Sequence, residues 1–112
     1  MSERLPAHLA VAALLRRAND SGGMGMVLAR GDAQGGTILI LAAEKGSNYR
    51  FLEQQRGLDG STAWVETGPR GADAGAILDY WQRRRARDPD LWVIELDVAQ
   101  AERFAAETTG FY

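Results

Sequence analysis

An α+β domain is expected from three features of the sequence. Apolar residues recur at helical spacing near the N-terminus, four short apolar runs follow between glycine-containing separators, and a second helical stretch leads into the alternating run LWVIELD. The resulting order, αββββαβα, predicts a single domain with a mostly antiparallel sheet covered by helices. A chain of 112 residues suits one such unit over residues 1–112 and is too short for two ordinary domains.

The first helix is expected from about Leu5 to Asp20. Pro6 fits its first turn, where a missing N–H has no helical partner to lose, and Ser21-Gly22-Gly23 ends it. Ala7, Val11, Leu14, Leu15 and Ala18 form the apolar stripe, with Leu9, Arg16 and Arg17 outside it. Four strands follow, Met24 to Arg30, Thr37 to Lys45, Asn48 to Gln55 and Thr62 to Thr67. Their separators GDAQGG, GS and LDGS each supply a glycine for chain reversal, so the four read as an antiparallel meander. In TILILAA both alternate sets are apolar, the mark of a central strand, whereas YRFLEQQ mixes polar residues into both sets as a strand nearer an edge does.

A second helix is expected from about Ala74 to Arg87, with Asp73 as N-cap and a stop at Asp88-Pro89. LWVIELD then forms a fifth strand. Asp97 followed by Gln100 resembles a capping box for a short last helix carrying Phe104 and Ala105, before the tail TTGFY.

GMVLARGDAQGGTILI together with DPDLWVIELD, in a chain of this length, resembles the bacterial domain-of-unknown-function family numbered 1491. The resemblance spans nearly the whole chain. It implies a single α+β domain of bacterial origin. It transfers no catalytic or binding residue, because the family carries no assigned activity.

Composition narrows the chemistry. A formal net charge of -2 offers no global attraction to nucleic acid or to an anionic membrane, so either would need a local patch. The absence of cysteine removes disulfides, thiolate catalysis and cysteine-based zinc sites. No stretch approaches the roughly 20 apolar residues of a membrane span, and LAVAALL lacks the flanks of a signal peptide. A cytoplasmic location is expected. No cofactor is implied.

RGDAQGG matches only the first part of a phosphate loop. Gly36 is followed directly by Thr37, so the lysine is missing, and the next segment is a strand where the motif needs a helix N-terminus. The loop reads as a hairpin turn. His8 is the only histidine and lies at the boundary of the first helix's apolar stripe, where a partly covered, satisfied side chain is expected. Glu95 and Asp97 are two apart on one strand and so share a face, the arrangement that acid-base catalysis would use if burial separated their pKa values.

The richest candidate is YWQRRRAR. A helical wheel sets Tyr80, Arg83, Arg84 and Arg87 on one side, opposite Ala74, Ile77, Leu78 and Trp81, and leaves Arg85 to pair with an acid such as Glu95. The first four form a candidate surface for a protein partner or an anion. Trp81 and Trp92 read as core. Trp64, Phe111 and Tyr112 are candidate aromatic contacts. The reading favoured is a small non-catalytic binding or regulatory module that engages a protein partner or a second copy of itself. Two alternatives remain: a nucleic-acid accessory protein using the Arg/Tyr face, and a small acid-base enzyme using Glu95 and Asp97.

Overall fold

A computed structural model of the chain describes residues 5–60 and 62–110, so Phe111 and Tyr112 lie outside the described residues. The elements follow the expected order: α1 (Ala7–Asp20), β1 (Met24–Ala29), β2 (Ile38–Glu44), β3 (Ser47–Arg56), β4 (Thr62–Thr67), α2 (Ala74–Arg87), β5 (Trp92–Asp97) and α3 (Ala101–Thr109). They form one α+β domain with a five-stranded, mostly antiparallel sheet.

The strand order β1-β5-β2-β3-β4 corrects the expected meander. Only β2, β3 and β4 form one. The last strand enters between β1 and β2, antiparallel to the first and parallel to the second. The RGDAQGG loop is therefore no hairpin turn: it reverses the chain around the start of β5. Its backbone fits the incoming strand closely. The Asp32 N–H donates to the Asp90 carbonyl at 3.0 Å, the Trp92 N–H donates to the Thr37 carbonyl at 2.8 Å, and the Trp92 indole Nε1 donates to the Asp32 carbonyl at 2.7 Å.

Glycine is required here for space. A Cβ on Gly31 would stand 2.1 Å from the Asp90 carbonyl oxygen, and one on Gly36 would stand 2.3 Å from the same atom. The loop also closes α1, whose first N–H groups have no helical acceptor. Ala7 donates to the Gln34 carbonyl and His8 to the Ala33 carbonyl, at 3.0 and 2.9 Å, and His8 Nδ1 is 2.8 Å from that second oxygen. Asp32 Oδ2 meanwhile accepts from the N–H groups of Gln34 and Gly35. Loop carbonyls meet the helix N-terminus and two loop N–H groups are already engaged, so a phosphate would find neither.

Two cores lie on opposite faces of the sheet. On one, α1 and α3 cover Ile38, Ile40, Leu52, Trp64, Trp92, Ile94 and Leu96. On the other, Ile77, Tyr80 and Trp81 of α2 pack on Leu39, Leu41, Phe51, Leu91 and Val93. Ile38 to Ala43 are all buried, as expected of a central strand. β3 lies one strand in from the β4 edge, nearer an edge than β2, as expected. Its polar residues pair with helices on either side: Arg50 with Glu102 of α3, and Glu53 with Arg84 of α2.

Caps and turns agree in part. Asp73 caps α2, accepting from the Ala76 N–H at 2.8 Å. Asp97 does not cap α3, whose N-cap is Gln100 with no side-chain bond. It instead accepts from the N–H groups of Lys45 and Gly46, at 2.6 and 2.8 Å. Those two residues have φ of 52° and 75°, the paired positive values of a tight two-residue hairpin.

None of Gly31, Gly35 and Gly36 has a left-handed backbone, so their responses to alanine should divide by space alone. Gly31→Ala and Gly36→Ala are expected to cost about 2 kcal/mol or more, as overpacking against backbone does. Gly35→Ala, whose nearest neighbour would be Asp32 Oδ2 at 3.9 Å, should be neutral or stabilising by up to about 1 kcal/mol. Urea unfolding of the three variants checks this, and equal losses at all three would contradict the wrapped-loop account.

Candidate functional site

The Arg/Tyr strip is not a strip. α2 is turned by about 60° from the wheel's expectation. Tyr80 and Arg84 face the sheet, while Ala74 and Leu78, expected inside, are exposed. Tyr80 stacks at a tilt on Phe51 with ring centroids 4.7 Å apart. Arg84 forms a two-pronged pair with Glu53 at 2.8 and 3.0 Å and also donates to the Tyr80 hydroxyl at 3.0 Å. These bonds, led by the one to Glu53, raise the guanidinium pKa further above its ordinary value. Arg83 pairs with Asp79 on the exposed side, and Arg87 is exposed. Arg85 does not reach Glu95: it donates to the carbonyls of Pro89 and Leu91 and so ties the helix end to the start of β5.

Trp64 is also no surface contact. It is buried under α3, and its Nε1 donates to Thr109 Oγ1 at 3.1 Å. The aromatic and arginine signals in the sequence therefore mostly describe packing.

A different surface emerges from the topology. The chain passes from β4 to β5 through α2, and β5 is parallel to β2, so α2 must cross the sheet over β3 and β2. The crossing ends at β5. Across from β5, Met24 pairs with Asp97 and Met26 with Glu95, and directly opposed residues share a face. That is the face α2 covers elsewhere. Met24 and Met26 belong to neither core and are 37% and 47% exposed.

Glu95 sits half-buried among them, between Met26 on β1 and Leu41 on β2. It has no hydrogen-bond or ion-pair partner among the described residues. Burial pushes its carboxyl above the usual glutamate range, and the Asp97 carboxylate adds to the effect. The two acids do share a face, as expected, but their roles differ, since Asp97 is engaged with the Lys45-Gly46 turn. No group of three His, Cys, Asp or Glu among the described residues could hold a metal ion.

The edge of β1 is partly closed to strand addition. The Asn19 carboxamide accepts from the Gly25 N–H at 3.3 Å and donates to the Gly25 carbonyl at 3.4 Å, standing where a neighbouring strand would bond. What β1 leaves open is its side-chain face.

A model described as a protein of unknown function, DUF1491, matches residues 5–106. The chain belongs to the DUF1491 family. Its fold is similar to the crystal structure of a DUF1491 protein from Caulobacter crescentus CB15, with a TM-score of 0.77 and 28% identity over 89% of this chain and 94% of that one. An NMR structure of a DUF1491 protein from the same organism gives 0.75 and 29%, over 92% and 94%. A solution structure from A. tumefaciens shares the fold at 0.68 and 21%, over 88% and 89%. No curated protein sequence matches the chain. No helix among the described residues is long and apolar enough to cross a membrane.

Removing Arg84 leaves Glu53 half-buried without its cation, so Arg84→Ala should destabilise by about 1 to 3 kcal/mol. Arg83→Ala should stay within about 0.5 kcal/mol, because its pair is exposed. The same loss at both sites would show that α2 is not turned as described. Glu95 should behave in the opposite sense. The folded chain keeps its proton at pH values where the unfolded chain has lost it, so stability falls as pH rises from the ordinary value of 4.5 through the raised one. Urea midpoints of Glu95→Gln should match the native chain at acid pH, pull ahead of it across that window and keep a constant lead above it. Parallel pH profiles would contradict this.

Proposed function

We propose that this DUF1491 chain is a binding module whose partner is another protein, docked on the open side-chain face of β1 and β5. One observation carries the reading: Met24 and Met26 stand exposed beside a half-buried carboxylate on a sheet face that α2 covers elsewhere. Methionine suits such a surface because its unbranched, polarisable side chain adapts to apolar partners. The acids Glu95 and Asp97 repel phosphate, which favours protein over nucleic acid. The occupant that fits is a protein segment with apolar side chains for the methionines and a cation for the carboxylate.

The arginine face supports the nucleic-acid alternative less well, because Tyr80 and Arg84 are occupied by Phe51 and Glu53. Panning a randomised 12-residue peptide library on the native chain, then testing the recovered peptides on Met26→Asp, checks the reading. Affinity should fall by about tenfold or more, the scale of losing one well-buried contact. Equal binding to both chains would place the peptides on some other surface and contradict the proposal.

A further inference from the structure

Four glutamates of the described chain are half-buried: Glu53, Glu95, Glu102 and Glu107. Three of them have arginine. Glu53 has Arg84, Glu102 has Arg50, and Glu107 has both Arg17 and Arg103. For Glu53 and Glu102 the arginine answers the loss of hydration that burial imposes on a carboxylate, whereas the Glu107 carboxylate stays open to solvent. The pairing lowers the Glu102 carboxyl below its ordinary range, chiefly through the bonds from Arg50. Glu95 alone shows the reverse direction, because burial acts on it without a cation.

The groups that face Glu95 among the described residues include no cation. Met26 stands opposite on β1, Leu41 opposite on β2, and the nearest charge is the like-signed Asp97 two residues on. Arg85, the basic residue best placed by sequence, is committed to the carbonyls of Pro89 and Leu91. A fold that pairs its other half-buried glutamates leaves this one unmatched at the open face.

We infer that Glu95 is the anchor for an arginine or lysine of the partner, so that the docked segment carries one basic side chain flanked by apolar residues that lie on Met24 and Met26. This rests on the docking reading above. The apolar flanks bury the methionines, and the cation restores to Glu95 the pairing that the other glutamates have. Closing the site with a charge that only the partner brings would also make recognition selective, since an uncharged or acidic segment would leave the carboxylate further desolvated and unpaired.

Synthetic peptides test the inference without knowing the partner. Four acetylated, amidated peptides Gly-Leu-X-Leu-Gly, with X as Arg, Lys, Gln or Glu, are titrated into the native chain labelled at its methionine methyls. Binding is read from the Met24 and Met26 signals. The Arg and Lys peptides should bind about tenfold tighter than the Gln peptide, the difference expected of one partly desolvated charge pair, and the Glu peptide should bind weakest. In Glu95→Gln, which should fold at least as stably as the native chain, the ranking should collapse while the methionine signals still respond. Equal affinity for all four peptides would overturn the anchor and leave the docking reading standing. Failure of any peptide to move the Met24 and Met26 signals would overturn both. Methionine shifts that depend on protein concentration without peptide would identify the occupant as a second copy, which also overturns a basic partner segment.

Discussion

The insertion of β5 between β1 and β2 is the constraint on which the rest of the structure depends. It requires the chain after β1 to pass around the start of another strand, and Gly31 and Gly36 make the passage narrow enough. Once the loop is drawn around Asp90 and Trp92, its carbonyls meet the first N–H groups of α1 and fix that helix on one face. The parallel entry of β5 forces α2 to cross on the other. One backbone fit thus decides which helix covers which surface.

The same route explains why part of the sheet stays open. A single helix of 14 residues leads from one edge strand to the strand beside the opposite edge, and its inward side chains are spent on Phe51, Glu53 and the apolar centre. Met24, Met26 and Glu95 lie at the far side of that face. The arginine-glutamate pairs elsewhere show the ordinary arrangement for a half-buried carboxylate in this fold. Glu95 departs from it. A local rule broken with no compensation among the described residues is the pattern expected of a surface shaped by something other than stability.

Most of the fold was legible in the sequence because glycine separators and apolar periods are local signals. The order of elements, the central place of β2 and the Asp73 cap all follow from residues within a few positions of one another. Strand order was not legible in that way. It depends on close approach between Gly31, Gly36 and Asp90, residues nearly sixty positions apart, and glycine in a loop signals a turn and a close approach alike. A clue was present in LWVI, where both alternate sets are apolar, the signature of a strand covered on two faces. The arginine strip misled because Tyr80 and Arg84 are amphipathic: each buries its body and satisfies its polar end, which a wheel of hydrophobic and charged residues cannot show. Glu95 and Asp97 were singled out as a pair, yet only the register reveals that one is engaged by a turn and the other stands alone beside two methionines.

The central claim is that Glu95 is a half-buried carboxylate with no cation partner among the described residues. Its side-chain carboxyl carbon can be followed by NMR through an acid titration of the free native protein, with Glu95→Gln identifying the signal. The account predicts a midpoint above the ordinary glutamate value of 4.5, the reverse of the depressed midpoint predicted for Glu102 beside Arg50. A midpoint for Glu95 at or below the ordinary value would mean that the chain already supplies its partner, and the open site would have no vacancy for a cation to fill.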